Sequence, residues 1–160
     1  MRPDAIGYQR ILGFLGRYYE NLRELWLQFI QDPDGSDLNI VPCEENARRG
    51  INFVKKVIEN GEGEILVATS EEKLLGYIFY SCSSPLILRE NRCVIYDLYV
   101  VPEFRGKGIG SELLKKALER IRSRGFKQVR IGVLSQNARA LNLYEKFGFK
   151  EVLKTLVLNL

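Results

Sequence analysis

The 160-residue chain contains no histidine. That absence removes Ser-His-Asp and Cys-His catalysis, HExxH zinc chemistry and histidine-ligated iron or copper together, because each needs an imidazole as base or ligand. Cysteine is scarce. Cys43, Cys82 and Cys93 are odd in number and show no CxxC spacing, so neither a disulfide framework nor a zinc knuckle is indicated, no metal is expected, and a reducing cytoplasm fits best. No apolar stretch approaches the roughly 20 residues that a membrane span needs, and Met1-Arg2-Pro3-Asp4 does not begin a signal peptide. The reading is of an intracellular protein with no membrane partner. Internal repeats, low-complexity tracts and Ser/Pro-rich linkers are also missing, and 46% hydrophobic with 28% charged residues describes one compact domain over residues 1–160.

The net charge of +4 is modest but unevenly placed. From Pro102 to Lys150 twelve Lys or Arg stand against four Glu, a local +8, whereas Asp32, Asp34, Asp37, Glu44 and Glu45 form an acidic run with no basic residue among them. Solvated surface explains either run. Two ligands of opposite charge would explain both. The basic region lacks the interleaved aromatics that a nucleic-acid surface uses, so nucleic acid is not favoured as a partner.

Apolar periodicity places the elements. Tyr18, Leu22, Leu25, Trp26 and Phe29 recur at helical spacing until Asp32-Pro33 stops the helix, and Ala47, Ile51, Val54 and Ile58 mark a second helix between Pro42 and Gly61. Glu64–Ser70 and Lys73–Tyr80 read as an antiparallel pair with Glu71-Glu72 at its tip, and Arg92–Val101 as a third strand ended by Pro102. A helix from Ile109 to Gly125 follows, then a strand over Gln128–Leu134, a short helix over Asn137–Phe147 and a closing strand over Phe149–Leu160. Residues 1–15 give no clear signal. This order predicts an α/β fold, a mixed sheet with helices on both faces.

The informative segment runs from Tyr96 to Ser111, a strand passing through Gly106, Gly108 and Gly110 into a helix. Glycines let the backbone turn tightly against a ligand, and the open amides of a helix N-terminus favour phosphate, with Arg105 and Lys107 adding charge. Two phosphate motifs are excluded by spacing. A GxGxxG would need glycine at Ser111 or Leu113, and a P-loop would need one at Val101. The acidic run fails as an EF-hand because its glycine, Gly35, is fourth and not sixth.

Arg105-Gly106-Lys107-Gly108-Ile109-Gly110 matches [Q/R]xxGxG at every fixed position, and Asn137 to Phe149 matches NxxAxxLYxxxGF. In these two segments, about residues 94–149 with the preceding strand, the chain resembles the GNAT superfamily of acetyl-CoA-dependent N-acetyltransferases. The resemblance implies a mostly antiparallel GNAT-like sheet and transfer of an acetyl group from acetyl-CoA directly to a primary amine, on a protein, a peptide or a small cationic molecule. A non-catalytic acyl-CoA-binding sensor is the alternative. It implies that the amides of Arg105, Gly106, Lys107, Gly108, Ile109, Gly110 and Ser111 hold the pyrophosphate. The strand edge at Leu98, Tyr99 and Val100 would pair with the pantetheine arm, and Asn137 would hydrogen-bond it. Tyr144 would be the general acid at the departing thiolate. Where relatives carry an explicit base this chain has Val94 or Tyr96; Asp97 is the adjacent carboxylate, but strand alternation points it to the other face unless a bulge re-aims it. No cysteine lies in either signature, so no acetyl-cysteine route is indicated. The acceptor wall would come from the first two helices and their acidic connector, and the short stretch after Gly148 leaves the cleft open to a peptide or to completion by a second subunit, a homodimer.

Overall fold

A computed structural model describes residues 6–11, 17–34, 40–71, 73–84 and 91–160. Five strands form one sheet in the order β1-β2-β3-β4-β5, with β1 spanning Gly7–Arg10, β2 Gly63–Ser70, β3 Lys73–Ser83, β4 Arg92–Val100 and β5 Gln128–Ile131. All pairings are antiparallel except β4 with β5. Four α-helices, α1 over Arg17–Gln31, α2 over Glu44–Glu59, α3 over Ile109–Ser123 and α4 over Ala138–Lys146, and a 3-10 turn over Pro102–Phe104 complete the described elements.

The sheet separates two cores. On one face Leu22, Leu25 and Phe29 of α1 and Ile51 and Val54 of α2 pack on Ile65, Val67, Tyr77, Phe79 and Tyr99. On the other, Leu113, Leu114, Ala117 and Ile121 of α3 and Tyr144 of α4 pack on Leu66, Ile78, Cys93 and Ile95. β2 and β3 are therefore buried on both sides, which is why their sequences are nearly continuous apolar runs. Among these runs Glu64 is an exception. It accepts hydrogen bonds from Arg10 at 2.8 Å, Tyr80 at 2.7 Å and Arg120 at 2.5 and 2.9 Å, tying β1, β2, β3 and α3 together. Burial alone would raise its carboxyl; those donors outweigh it and hold it down at about 2.

β1, in the stretch that gives no clear sequence signal, carries no core pattern, being four mostly exposed residues, and is defined only by its pairing with β2. Three expectations are corrected. β5 stops at Ile131 and not at Leu134, because the ladder from β4 ends at the Ile95–Ile131 pair. Phe149–Leu160 forms no strand: residues 150–160 lack regular structure and are exposed, since an alternating pattern becomes a strand only where a neighbour pairs with it. Cys82 and Cys93, directly opposed on β3 and β4, are joined by a disulfide. Eleven residues separate them in sequence, and only the antiparallel register brings their Cα atoms to 4.0 Å. Cysteine usage thus no longer argues for a reducing compartment.

Candidate active site

One irregularity organises the site. Phe79 pairs with Asp97 but Tyr80 pairs with Ile95, so Tyr96 is an extra residue in β4 with no partner across the ladder. A bulge of this kind bends its strand and re-aims the side chains beside it. Ile95 faces the α3 core. Tyr96 faces the opposite side, stacking on Phe79 at 5.6 Å; Asp97, which alternation would return to the α3 side, instead meets Trp26 of α1. The bulge places Tyr96 and Asp97 on one face.

The same bulge coincides with the end of the β4–β5 ladder at Ile95 and Ile131. Beyond it Leu98, Tyr99 and Val100 have no β5 partner, and the two strands open into a cleft lined by Asp97, Leu98, Val100, Gly108, Asn137 and Tyr144, among others. At its mouth a 3-10 turn over Pro102–Phe104 leads into Gly106 at φ 74° and Gly108 at φ 82°. These left-handed conformations favour glycine, and no atom lies within 4 Å of where a Cβ would sit at either position. Gly108 is the N-cap of α3 and has no side chain to satisfy the first-turn amides, so Ile109, Gly110 and Ser111 present their N–H groups to whatever occupies the turn. An uncapped helix start beside an unpaired strand edge fits a phosphate-bearing, strand-like ligand such as a CoA ester.

Two of the expected cofactor residues are already engaged. The Arg105 side chain turns away from the glycine loop: its Nε donates to the Val100 carbonyl at 2.8 Å, its guanidinium lies 5.3 Å from the Tyr99 ring centre, and it forms an ion pair with Asp32. Burial works to raise the Asp32 carboxyl, but Arg105 and the Asp34 amide prevail and lower it. Asn137 caps α4 by accepting from the Ala140 amide at 3.0 Å, and donates to the Asp34 carbonyl at 2.7 Å. The acidic connector thus turns two members, Asp32 and Asp34, toward the glycine turn and α4, with Arg139 3.9 Å from Asp34. Glu44 pairs with Arg23; Asp37 lies outside the described residues.

Asp97 is half-buried. Burial raises its carboxyl from 3.8 to about 7, against the opposing effect of donors that favour the charged form, Trp26 Nε1 at 3.2 Å and the Tyr77 hydroxyl at 3.5 Å. A carboxyl titrating near 7 can accept a proton at neutral pH. Tyr144 is 8% exposed, and burial pushes its phenol up to about 12, so it stays protonated. Trp26 and Tyr77 hold the Asp97 carboxyl, whereas the sequence reading placed them only as an apolar position of the first helix and a member of the Lys73–Tyr80 strand. Their helical and strand spacing says nothing of a polar contact 71 residues away for Trp26 and 20 for Tyr77. Gly50 of α2 belongs with them, because a Cβ there would lie 2.5 Å from the Trp26 ring. Beside Asp97, Tyr96 and Phe53 of α2 are each 49% exposed, with ring centres 5.9 Å apart, an aromatic surface on the α1/α2 side. Among the described residues no group of three or more Cys, Asp or Glu is arranged to hold a metal, and no helix is long and apolar enough to cross a membrane.

Comparison with known proteins agrees with this geometry. The chain is 38% identical over 92 residues to a bovine (Bos taurus) thialysine N-epsilon-acetyltransferase, a match covering 56% of this chain and 54% of the relative. It is 31% identical over 96 residues to an uncharacterized N-acetyltransferase of Archaeoglobus fulgidus, covering 58% and 64%. The chain spans about half the length of the curated relatives it matches. Among solved structures, an aminoglycoside N-acetyltransferase AAC(6')-Iy in complex with CoA superposes with a TM-score of 0.75 at 12% identity, over 99% of this chain and 96% of that one. A ribosomal-protein-alanine N-acetyltransferase from Brucella melitensis gives 0.70 at 15%, over 98% and 100%. At such identities these two speak for the fold alone. The family model for the Acetyltransferase (GNAT) family matches residues 19–149, and with the bulged, splayed β4 and the glycine turn in place, the chain belongs to the GNAT acetyltransferase family.

Proposed function

We propose that this chain transfers an acetyl group from acetyl-CoA directly to a primary amine, with Asp97 as the base and Tyr144 as the donor to sulfur. The observation that carries the reading is the bulge at Tyr96, which opens β4 from β5 and turns Asp97 to the side from which an acceptor can approach. The amides of Arg105 to Ser111 would hold the pyrophosphate. Since the Val100 carbonyl is taken by Arg105, pairing with the pantetheine arm would fall to Leu98 and to the Val100 amide. The positive field from Pro102 to Lys150 draws the phosphates in.

The amine nitrogen attacks the thioester carbon, the C–S bond breaks, and two protons must be managed. Asp97, ionised in about half of the molecules at pH 7 if it titrates near that value, takes the proton that the nitrogen loses. The phenol of Tyr144 donates a hydrogen bond to the departing sulfur. With the phenol near 12 and a free thiol near 8.5, complete transfer is uphill, so what Tyr144 supplies is stabilisation of the developing thiolate before solvent protonates it. Tyr96 and Phe53 line the acceptor side and suit an amine borne on a chain with apolar or cationic bulk.

The test is acceptor-dependent release of CoA, resolved by chromatography so that the free thiol of Cys43 adds no signal. The panel contains thialysine and lysine, prompted by the bovine relative's name, with polyamines, aminoglycosides and peptides. Release above the no-acceptor baseline supports the enzyme and sorts the acceptor classes. Absence of acetyl-CoA binding overturns it.

A further inference from the structure

Asp97 opens onto a sheet face whose charge the acetyl transfer does not use. Cys93 and Ile95 of β4 and Val129 and Ile131 of β5 pack on the α3 side, so alternation sends Arg92, Val94, Gln128 and Arg130 to the side of α1 and α2, where Tyr96 stacks on Phe79. There they stay open: Arg92, Val94 and Gln128 are partly exposed and Arg130 is exposed. The registers Arg92↔Gln128 and Val94↔Arg130 bring the two arginines onto one surface, and Val94, Tyr96, Asp97 and Arg130 line the same cleft. Lys56 of α2, exposed and three residues after Phe53, stands on the same helix face as that ring. Three cations thus flank the approach to Tyr96 and Asp97.

Among the described residues none of the three pairs with a carboxylate. Arg130 donates to Gln128, a neutral partner, at 3.2 Å, whereas the neighbouring cations Arg49 and Lys55 are each matched by an acid on their own helix, Glu45 and Glu59. The remaining described acids of the connector are engaged elsewhere: Asp32 with Arg105, Asp34 beside Arg139 and Glu44 with Arg23. The face beyond Asp97 is therefore positive. At about 3.3 Å per residue along β4, Arg130 beside Val94 stands about 7 Å from Tyr96 and Arg92 about 13 Å, a reach longer than one amino acid and equal to that of a short extended chain. We infer, on the reading of Asp97 as the base, that the acceptor is a peptide whose reacting residue is followed by acidic residues, selected by Arg130, Arg92 and Lys56. The reacting residue lies on the exposed rings of Phe53 and Tyr96, and carboxylates two and four residues further on fall level with Arg130 and Arg92. Complementarity of this kind favours an acidic chain and repels a polycation.

The test compares peptides that differ only in charge. Each carries one free amine, at the N-terminus or on a single lysine of a blocked chain, with Asp, Asn or Arg two and four residues after it. Free lysine and 1,5-diaminopentane, which lacks the carboxylate, stand for small acceptors. Expected is a kcat/KM for CoA release at least about fivefold higher for the Asp than for the Asn peptides, as two exposed ion pairs give, and lowest for the Arg peptides. The preference should sit in KM, shrink toward one in about 0.5 M salt, and fall below about twofold in Arg92→Gln/Arg130→Gln. If that variant unfolds, the salt dependence and Arg130→Gln alone decide. Asn or Arg peptides used as well as Asp peptides overturn the inference and leave acetyl transfer standing. A preference that survives loss of both arginines, or carboxylate selection confined to free lysine, overturns it equally. No CoA release from any peptide also overturns it, and acetyl-CoA binding by calorimetry then shows whether the transferase reading falls with it.

Discussion

Replacing Trp26 by phenylalanine removes one of the two hydrogen bonds that hold Asp97 and leaves the reacting groups in place. In the parent, burial lifts the carboxyl from 3.8 to about 7 while Trp26 and Tyr77 favour its ionised form. A hydrogen bond to a charged group contributes about 1.5–3 kcal/mol, and one pKa unit corresponds to about 1.4 kcal/mol. Loss of the indole donor should therefore move Asp97 up by about one unit, toward roughly 8. At pH 7 the ionised fraction falls from about one half to about one tenth, so kcat/KM falls about fivefold and recovers near pH 9. The assay is initial-rate CoA release from pH 5.5 to 9.5 at subsaturating acceptor, alongside Asp97→Asn, which should lose the acid limb and lie about 100-fold or more lower on the plateau. Deprotonation of the acceptor also gives a rising limb, but its midpoint is a property of the amine and does not move with Trp26. The same midpoint in parent and Trp26→Phe refutes Asp97 as the base. Stability carries an independent sign. The folded carboxyl titrates above its unfolded value, so its contribution is complete below about 3.8 and is lost as pH rises through about 7. Asp97→Asn should therefore unfold at higher denaturant than the parent at pH 8, by about 4 kcal/mol, with the difference shrinking toward pH 4.

Gly50→Ala places a Cβ 2.5 Å from the Trp26 ring; despite alanine's better helix propensity, the variant should melt lower, and its acid limb should shift in the same direction as in Trp26→Phe. Tyr144→Phe keeps the buried ring and removes the donor, so turnover should fall about 100-fold while acetyl-CoA affinity by calorimetry changes less than about twofold; unchanged turnover removes Tyr144 from the chemistry. Glu64→Gln leaves Arg10 and Arg120 without their carboxylate and should destabilise by about 3 kcal/mol at pH 7. Because the folded carboxyl titrates near 2, below its usual 4.5, that stability is present above pH 4.5 and lost as pH falls through 2. Urea titrations of parent and variant should converge there.

Asp97 and Tyr144 show how far the sequence reached. Tyr144 lies inside NxxAxxLYxxxGF, a local pattern whose helix can be read from spacing alone. Asp97 could be read only conditionally, because its face depends on whether β4 carries an extra residue, and that is decided by the partner strand's register. Arg105 was legible as part of the turn, but its ion pair with Asp32, 73 residues earlier, turns its side chain away from the loop that its backbone serves. Trp26 read as an apolar position of the first helix, and Gly50 drew no reading at all; only the packing of α1 against α2 joins them beneath Asp97.

The sequence by itself determined the helices, the strands between Glu64 and Val100 and the glycine turn, because each is written in periodicity and glycine placement over a few neighbouring residues. Only the tertiary structure decided the bulge, the Cys82–Cys93 disulfide, the Glu64 cluster and the unpaired segment after Phe149. Each of these is settled by which distant segment lies alongside, and strand pairing and side-chain reach depend on that partner and not on the residue's own neighbours.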